Sequence, residues 1–145
     1  MKDRKSYLID IKAVQEHDGR LLVVEHNNNP LPFDIKRIFW VRDVIPGAAR
    51  GEHATKKTKL VLIPVTGSCD VDVDDGMEKK TYHMDDPTKG LYIDEMIWRT
   101  MKNFSRDCVM MAVCDHVFEP GEETYDDYQE FLEALKNSQI KRNGV

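Results

Sequence analysis

Hydrophobic and polar positions along most of this chain alternate in short bursts separated by turn residues. LLVVE (21–25) runs into Asn27-Asn28-Asn29-Pro30, IFWVRDV (38–44) stops at Pro46-Gly47, and KLVLIPV (59–65) stops at Thr66-Gly67-Ser68. Such breaks punctuate strands, and the last has the composition of a hairpin loop. CDVDVDD (69–75) alternates apolar with acidic residues, the pattern of a strand with one wet face, and Asp75-Gly76 turns it into EKKTYHM. Pro87 and Gly90 bracket a loop before LYI, IWRTMKN and CVMMAVCD, and YLIDI near the start is strand-like too. Only the end has helical spacing. Tyr128, Phe131, Leu132 and Leu135 fall at i, i+3, i+4 and i+7, which predicts a helix over about 126–138. Thr124 is its expected N-cap, Asp126 and Asp127 its acidic first turn, and Lys136 and Lys141 suit the far end of its dipole. Seven or eight short strands and one terminal helix predict a mainly β domain over residues 1–145, a small barrel or sandwich.

Composition narrows this. The 145 residues are 41% hydrophobic and 32% charged, too apolar for a disordered chain and long enough for a real core. A net charge of −5 argues against nucleic acid or an anionic membrane surface as partner. No apolar run approaches the length of a membrane span. The start, Met1-Lys2-Asp3-Arg4-Lys5, leads to a strand rather than an export stretch, so a cytoplasmic location is expected. The three cysteines lack CxxC spacing. Cys108 and Cys114 on one strand would stand roughly 20 Å apart, beyond disulfide reach. Three reduced core thiols are expected.

The charge is uneven. Between Ile35 and Leu60 stand seven basic residues, Lys36, Arg37, Arg42, Arg50, Lys56, Lys57 and Lys59, against Asp43 and Glu52. The segment carries +5 while the remainder carries −10. It reads either as a pocket for a small polyanion or as a solvated strand face. Within it lies Arg50-Gly51-Glu52-His53-Ala54-Thr55-Lys56-Lys57, and period two puts His53, Thr55 and Lys57 on one face. A lone His is either a structural hydrogen bonder or a proton-transfer group, and the basic neighbours favour the second. Arg99 shares a face with Ile97 and Met101, opposite Trp98, and either face could be the inner one. Pointing inward, its guanidinium needs an anion: a ligand phosphate, a developing oxyanion or an internal carboxylate.

Other motifs fall away. In Asp70–Gly76 the glycine comes one place late for a calcium loop, and Thr81 stands where its closing Glu belongs. His17, His26, His83 and His116 have no ligand-spaced partners and read as surface or strand-end residues. Neither GxSxG nor a phosphate-binding glycine loop occurs.

Taken in order, FDIKRIFWVRDV, RGEHATKK, VTGSCDVDVDDG, DDPTKGLYI, MIWRTMKNFS and YDDYQEFL resemble the cupin-type (WxcM-like) sugar 3,4-ketoisomerase family over about residues 9–132. The resemblance implies a small cupin or jelly-roll (double-stranded β-helix) barrel with one C-terminal helix, a homodimer exchanging N-terminal strands, and no metal or other cofactor. It implies conversion of dTDP-4-keto-6-deoxyglucose to its 3-keto isomer, on the way to amino sugars of surface polysaccharides. It places His53 at the position of the catalytic base and Arg99 at the position that goes with product configuration at carbon 4, arginine there going with the gluco form. Two departures stand out: Thr55 replaces the second histidine of RGxHAH, and Phe39-Trp40 replaces an aromatic pair that usually begins with tyrosine.

The chemistry of the residues agrees. The hydrogen on carbon 3 of a 4-keto sugar is acidified; one neutral imidazole can take it and return a proton to carbon 4 through an enediolate. Arg99 would stabilise the enediolate oxygen. Arg50, Lys57 and Arg37 are candidates for the diphosphate, and Thr55 and Phe39 complete the substrate-binding set. A metal-dependent cupin needs several converging ligands, and Thr55 stands where the second would be. The alternative is a cupin that binds a sugar nucleotide without catalysis, as an accessory subunit.

Overall fold

The computed structural model describes residues 5–25, 31–121 and 123–142; His26 and the Asn27–Pro30 turn lie outside them. Among the described residues twelve strands precede one helix, more than the turn spacing predicts, because the first strand of a hairpin near the start and a two-residue strand near the end carry no strong alternation. The strands are β1 (Ser6–Asp10), β2 (Lys12–Glu16), β3 (Gly19–Val23), β4 (Arg37–Val41), β5 (Arg50–Thr55) and β6 (Leu60–Thr66). β7 (Cys69–Asp74), β8 (Lys79–Met84), β9 (Lys89–Ile93), β10 (Trp98–Lys102), β11 (Val109–Cys114) and β12 (Thr124–Tyr125) follow, then α1 (Tyr128–Arg142).

Ten strands form two five-stranded antiparallel sheets, in the orders β1-β9-β6-β11-β4 and β12-β5-β10-β7-β8. β2 and β3 pair only with each other. The two sheets face one another as a jelly roll. Alternate residues of both fill the space between: Leu60, Leu62, Leu91, Ile93, Met110 and Ala112 from the first, Val71, Val73, Met84 and Met101 from the second. The acidic alternation of β7 is thereby explained. Cys69, Val71 and Val73 are buried while Asp70 and Asp72 face out.

Each sheet also has a covered outer side. Ile11, Leu31, Val61, Ile63, Tyr92 and Val113 pack behind the first. Ala54, Phe131 and Leu135 pack behind the second, where α1 lies against Trp98. The helix begins two residues later than its spacing predicts and runs longer. Thr124 and Tyr125 are held in β12 against Thr55 and Ala54, so Thr124 is no cap. Asp127 caps instead, its carboxylate accepting from Glu130 N at 3.0 Å. The Thr66–Ser68 break is likewise no hairpin: β6 and β7 belong to different sheets, and the turn carries the chain across. Gly67 adopts φ +68, and a Cβ there would come within 2.7 Å of the Cys108 backbone. Asp75-Gly76 does join a hairpin, β7 to β8. Cys69, Cys108 and Cys114 are free and buried.

Candidate functional site

The site is built on β5 and β10, adjacent strands of the second sheet. His53 pairs directly with Arg99, and Gly51 with Thr100, so Glu52 is an extra residue on β5. This is a β-bulge, and its two residues have left-handed backbone, φ +87 at Gly51 and +55 at Glu52. The bulge aims the Gly51 carbonyl at His53 Nδ1, 2.9 Å away. A carbonyl only accepts, so Nδ1 carries the proton. The other ring nitrogen, Nε2, is left as the basic atom of the neutral imidazole. Burial, and then the charge of Arg99, push the His53 pKa below its ordinary value.

Arg99 resolves the ambiguity of its strand. It points inward with Ile97 and Met101 and is 3% exposed. Its expected anionic partner is absent among the described residues. Nη2 donates instead to the Thr55 hydroxyl at 2.9 Å, and Nε, buried, has no partner. Burial lowers its pKa to about 10, which still leaves it charged at neutral pH.

Around this pair lies a cavity of about 350 Å³ lined by Arg37, Phe39, His53, Thr55, Leu60 and Arg99, closed on one side by Phe118, Glu123 and Thr124. Five of the seven residues singled out from the sequence therefore meet: His53, Arg99, Arg37, Thr55 and Phe39. Arg37 comes from β4 across the interior, with its guanidinium 5.6 Å from the Phe39 ring and 5.8 Å from Phe118. Its Nη2 is 2.9 Å from Glu123 Oε1. Burial would raise the Glu123 carboxyl, but hydrogen bonds from Arg37 and Thr58 outweigh it and hold the group below its usual range. Glu123 neutralises Arg37; nothing described neutralises Arg99.

The other two residues lie elsewhere. Arg50 sits beyond the bulge, opposite Met101, and lines a separate cavity with Trp40, Arg42 and Asp43. Lys57 follows the end of β5 and pairs with Glu119 at 2.9 Å. Sequence reasoning missed Glu123 and Phe118. Both stand in a short run without periodicity, and only the pairing of β12 with β5 brings Glu123 under the cavity. No three His, Cys, Asp or Glu side chains converge as cation ligands among the described residues, and no described helix is long and apolar enough to cross a membrane.

A jelly roll whose interior holds a neutral imidazole beside a buried guanidinium with no ion-pair partner among the described residues has the architecture of a small cupin. The family model described as FdtA, WxcM-like, C-terminal, matches residues 4–136. The TDP-4-oxo-6-deoxy-alpha-D-glucose-3,4-oxoisomerase of Aneurinibacillus thermoaerophilus is 35% identical over 130 residues, 88% of this chain and 93% of its own length. The TDP-fucose-3,4-ketoisomerase structure from Campylobacter jejuni matches at 35% identity with a TM-score of 0.83, covering 89% of this chain and 94% of that one. A 3,4-ketoisomerase from Helicobacter canadensis matches at 31% identity and a TM-score of 0.87, covering 92% and 99%. The chain belongs to the FdtA, WxcM-like family, and like these relatives it is an isomerase.

Proposed function

We propose that this protein isomerises dTDP-4-keto-6-deoxyglucose to the 3-keto sugar, with His53 as the acid/base and Arg99 as the electrostatic stabiliser. The observation that carries this reading is the His53–Arg99 pair, a basic nitrogen beside a buried bare cation in a sugar-sized, mostly apolar cavity. Support comes also from the relatives. The A. thermoaerophilus protein is named for this keto-sugar, and a Thermoanaerobacterium thermosaccharolyticum sugar 3,4-ketoisomerase of 29% identity was solved with TDP.

His53 Nε2 takes the hydrogen from carbon 3 and becomes imidazolium, while the electron pair moves into the carbon 3–carbon 4 double bond and onto oxygen 4. Arg99 faces that enediolate oxygen. The hydroxyl proton passes from oxygen 3 to oxygen 4, the carbonyl re-forms at carbon 3, and imidazolium returns its proton to carbon 4. No electron leaves the substrate and no proton is lost overall. Arg37, gripped by Glu123 and two aromatic faces, and Phe39 at the mouth contact the substrate. The diphosphate roles first considered for Arg50 and Lys57 would need the substrate to extend beyond this cavity.

The functional unit in this reading is a homodimer in the cytoplasm. β4 is a sheet edge with Ile38, Phe39 and Trp40 all exposed, and the β2–β3 hairpin exposes Val14, Leu21 and Leu22. A second copy would cover both, and light scattering of the full chain tests that.

The deciding experiment is turnover of dTDP-4-keto-6-deoxyglucose followed by proton NMR. The wild type should give the 3-keto sugar, and His53→Asn should lower kcat by about 10²–10⁴-fold with the fold intact. Wild-type turnover by that variant would sink the assignment of the base. Binding without any carbon 3 exchange in the wild type would favour the accessory-subunit alternative.

A further inference from the structure

One hydrogen-bonded chain runs beneath the cavity and touches both of its arginines. Arg99 Nη2 donates to Thr55 Oγ1 at 2.9 Å, and Thr55 Oγ1 donates to the Thr58 carbonyl at 2.7 Å. Thr58 Oγ1 donates to Glu123 Oε1 at 3.1 Å, and the same oxygen accepts from Arg37 Nη2 at 2.9 Å. Thr55 is 3% exposed and Thr58 is fully buried. Every link is intramolecular, and the direction of each proton is fixed, because a carbonyl, a carboxylate and a guanidinium have one role apiece.

The direction decides what Thr55 can do. Its single hydroxyl proton is committed to the Thr58 carbonyl, so toward Arg99 it is only an acceptor. It has no proton to hand to a sugar oxygen, and one of its two lone pairs is taken by Arg99. A buried guanidinium swings on a long side chain unless its donors are held, and a charge that acts on a transition state must be held before the reaction. The Thr55 hydroxyl supplies a side-chain hydrogen bond that orients Arg99, whose buried Nε has no partner.

We infer that Thr55 is a positioning residue, not a substrate-binding one: its hydroxyl, anchored on Thr58 and through it on Glu123, fixes the Arg99 guanidinium opposite His53. The proposal rests on the reading of Arg99 as the stabiliser of the enediolate.

The test compares Thr55→Val, which keeps the shape and removes the hydroxyl, with Thr55→Ser, which keeps the hydroxyl. Two measurements are made on each. The first is kcat and KM on dTDP-4-keto-6-deoxyglucose. The second is NMR titration of His53 in the substrate-free protein, which reads the Arg99 charge without any turnover. The groups acting on His53 are Arg99 from β10, Glu123 beside β12, Asp126 beyond it and the Gly51 carbonyl on its own strand. Only Arg99 is released by the valine.

Thr55→Val should lower kcat about 10- to 100-fold with KM within about threefold, and should move the His53 titration up toward that of an ordinary imidazole. Thr55→Ser should restore both. An unchanged His53 titration in Thr55→Val, or equal damage in valine and serine variants, overturns the proposal. So does a raised KM at unchanged kcat, which would mean direct substrate contact. If the wild type fails to turn over the keto-sugar, the functional reading fails; the titration arm still decides whether Thr55 holds Arg99.

Discussion

His53 illustrates how one backbone contact selects a chemistry. The Gly51 carbonyl fixes the tautomer, burial keeps the ring neutral, and Arg99 reinforces both effects by opposing a second positive charge. In the proposed reaction the neutral ring is the base, so kcat/KM should decline on acidification only below the ordinary imidazole value of 6.5. Below that value the unfolded chain takes a proton that the folded ring refuses. Stability therefore falls as pH drops from 6.5 toward the lowered folded value, and the His53 contribution is flat above it. An acid limb of kcat/KM centred above 6.5 would contradict this environment. Tyr128 shows the opposite case at the same scale. Its hydroxyl donates to Asp74, and that bond, more than burial, pushes its pKa up to about 12, so it stays a neutral structural clasp between α1 and β7.

At the scale of elements, the bulge in β5 and the seating of α1 do the positioning. Gly51 at φ +87 has Arg99 O only 3.2 Å from where a Cβ would stand. Gly51→Ala should cost about 1–3 kcal/mol and lower activity further by turning the carbonyl away from His53. A thermal melt and turnover assay on one preparation check both. Phe131, fully buried against Trp98 behind the second sheet, should cost about 3–5 kcal/mol when cut to alanine, read as a lowered urea midpoint at unchanged slope. These elements also mark how much was legible beforehand. The β7 face, the helix stripe and the shared face of His53 and Thr55 follow from local periodicity, which the sequence displays. The bulge does not, because one inserted residue breaks period two without changing composition. The turn at Gly67 has hairpin composition, yet which sheet the next strand joins depends on pairings with β10 and β8 made far along the chain. Glu123 has no periodic neighbours to mark it, and only the pairing of β12 with β5 places it.

Over the whole molecule, charge is sorted by depth. The acidic majority is spread over the outside, where Asp70, paired with Asn103 and His83, and Asp72, paired with Lys102 and Thr81, contribute little each in screening solvent. Inside, one buried carboxylate, Glu123, pairs with Arg37, while the deeper Arg99 makes no ion pair among the described residues. That carboxylate connects the scales. Glu123 neutralises Arg37, anchors the Thr58 end of the chain that holds Arg99, and sits beside the β12 strand that closes the second sheet. Its folded carboxyl titrates below the ordinary value of 4.5, so its stabilisation is present above 4.5 and is lost as pH falls through the folded value. Glu123→Gln removes the charge and leaves the half-buried Arg37 without its counter-ion, which should cost about 1–3 kcal/mol. The variant should start less stable at pH 7 and lose less than the wild type on acidification, so that the two stability curves converge at low pH. Parallel curves would mean that the exposed carboxylates, not this ion pair, govern acid unfolding. Losing the Glu123 charge by itself pulls the His53 titration down, so convergence together with a net upward shift would show that the carboxylate holding the fold at this edge also holds Arg99 in place.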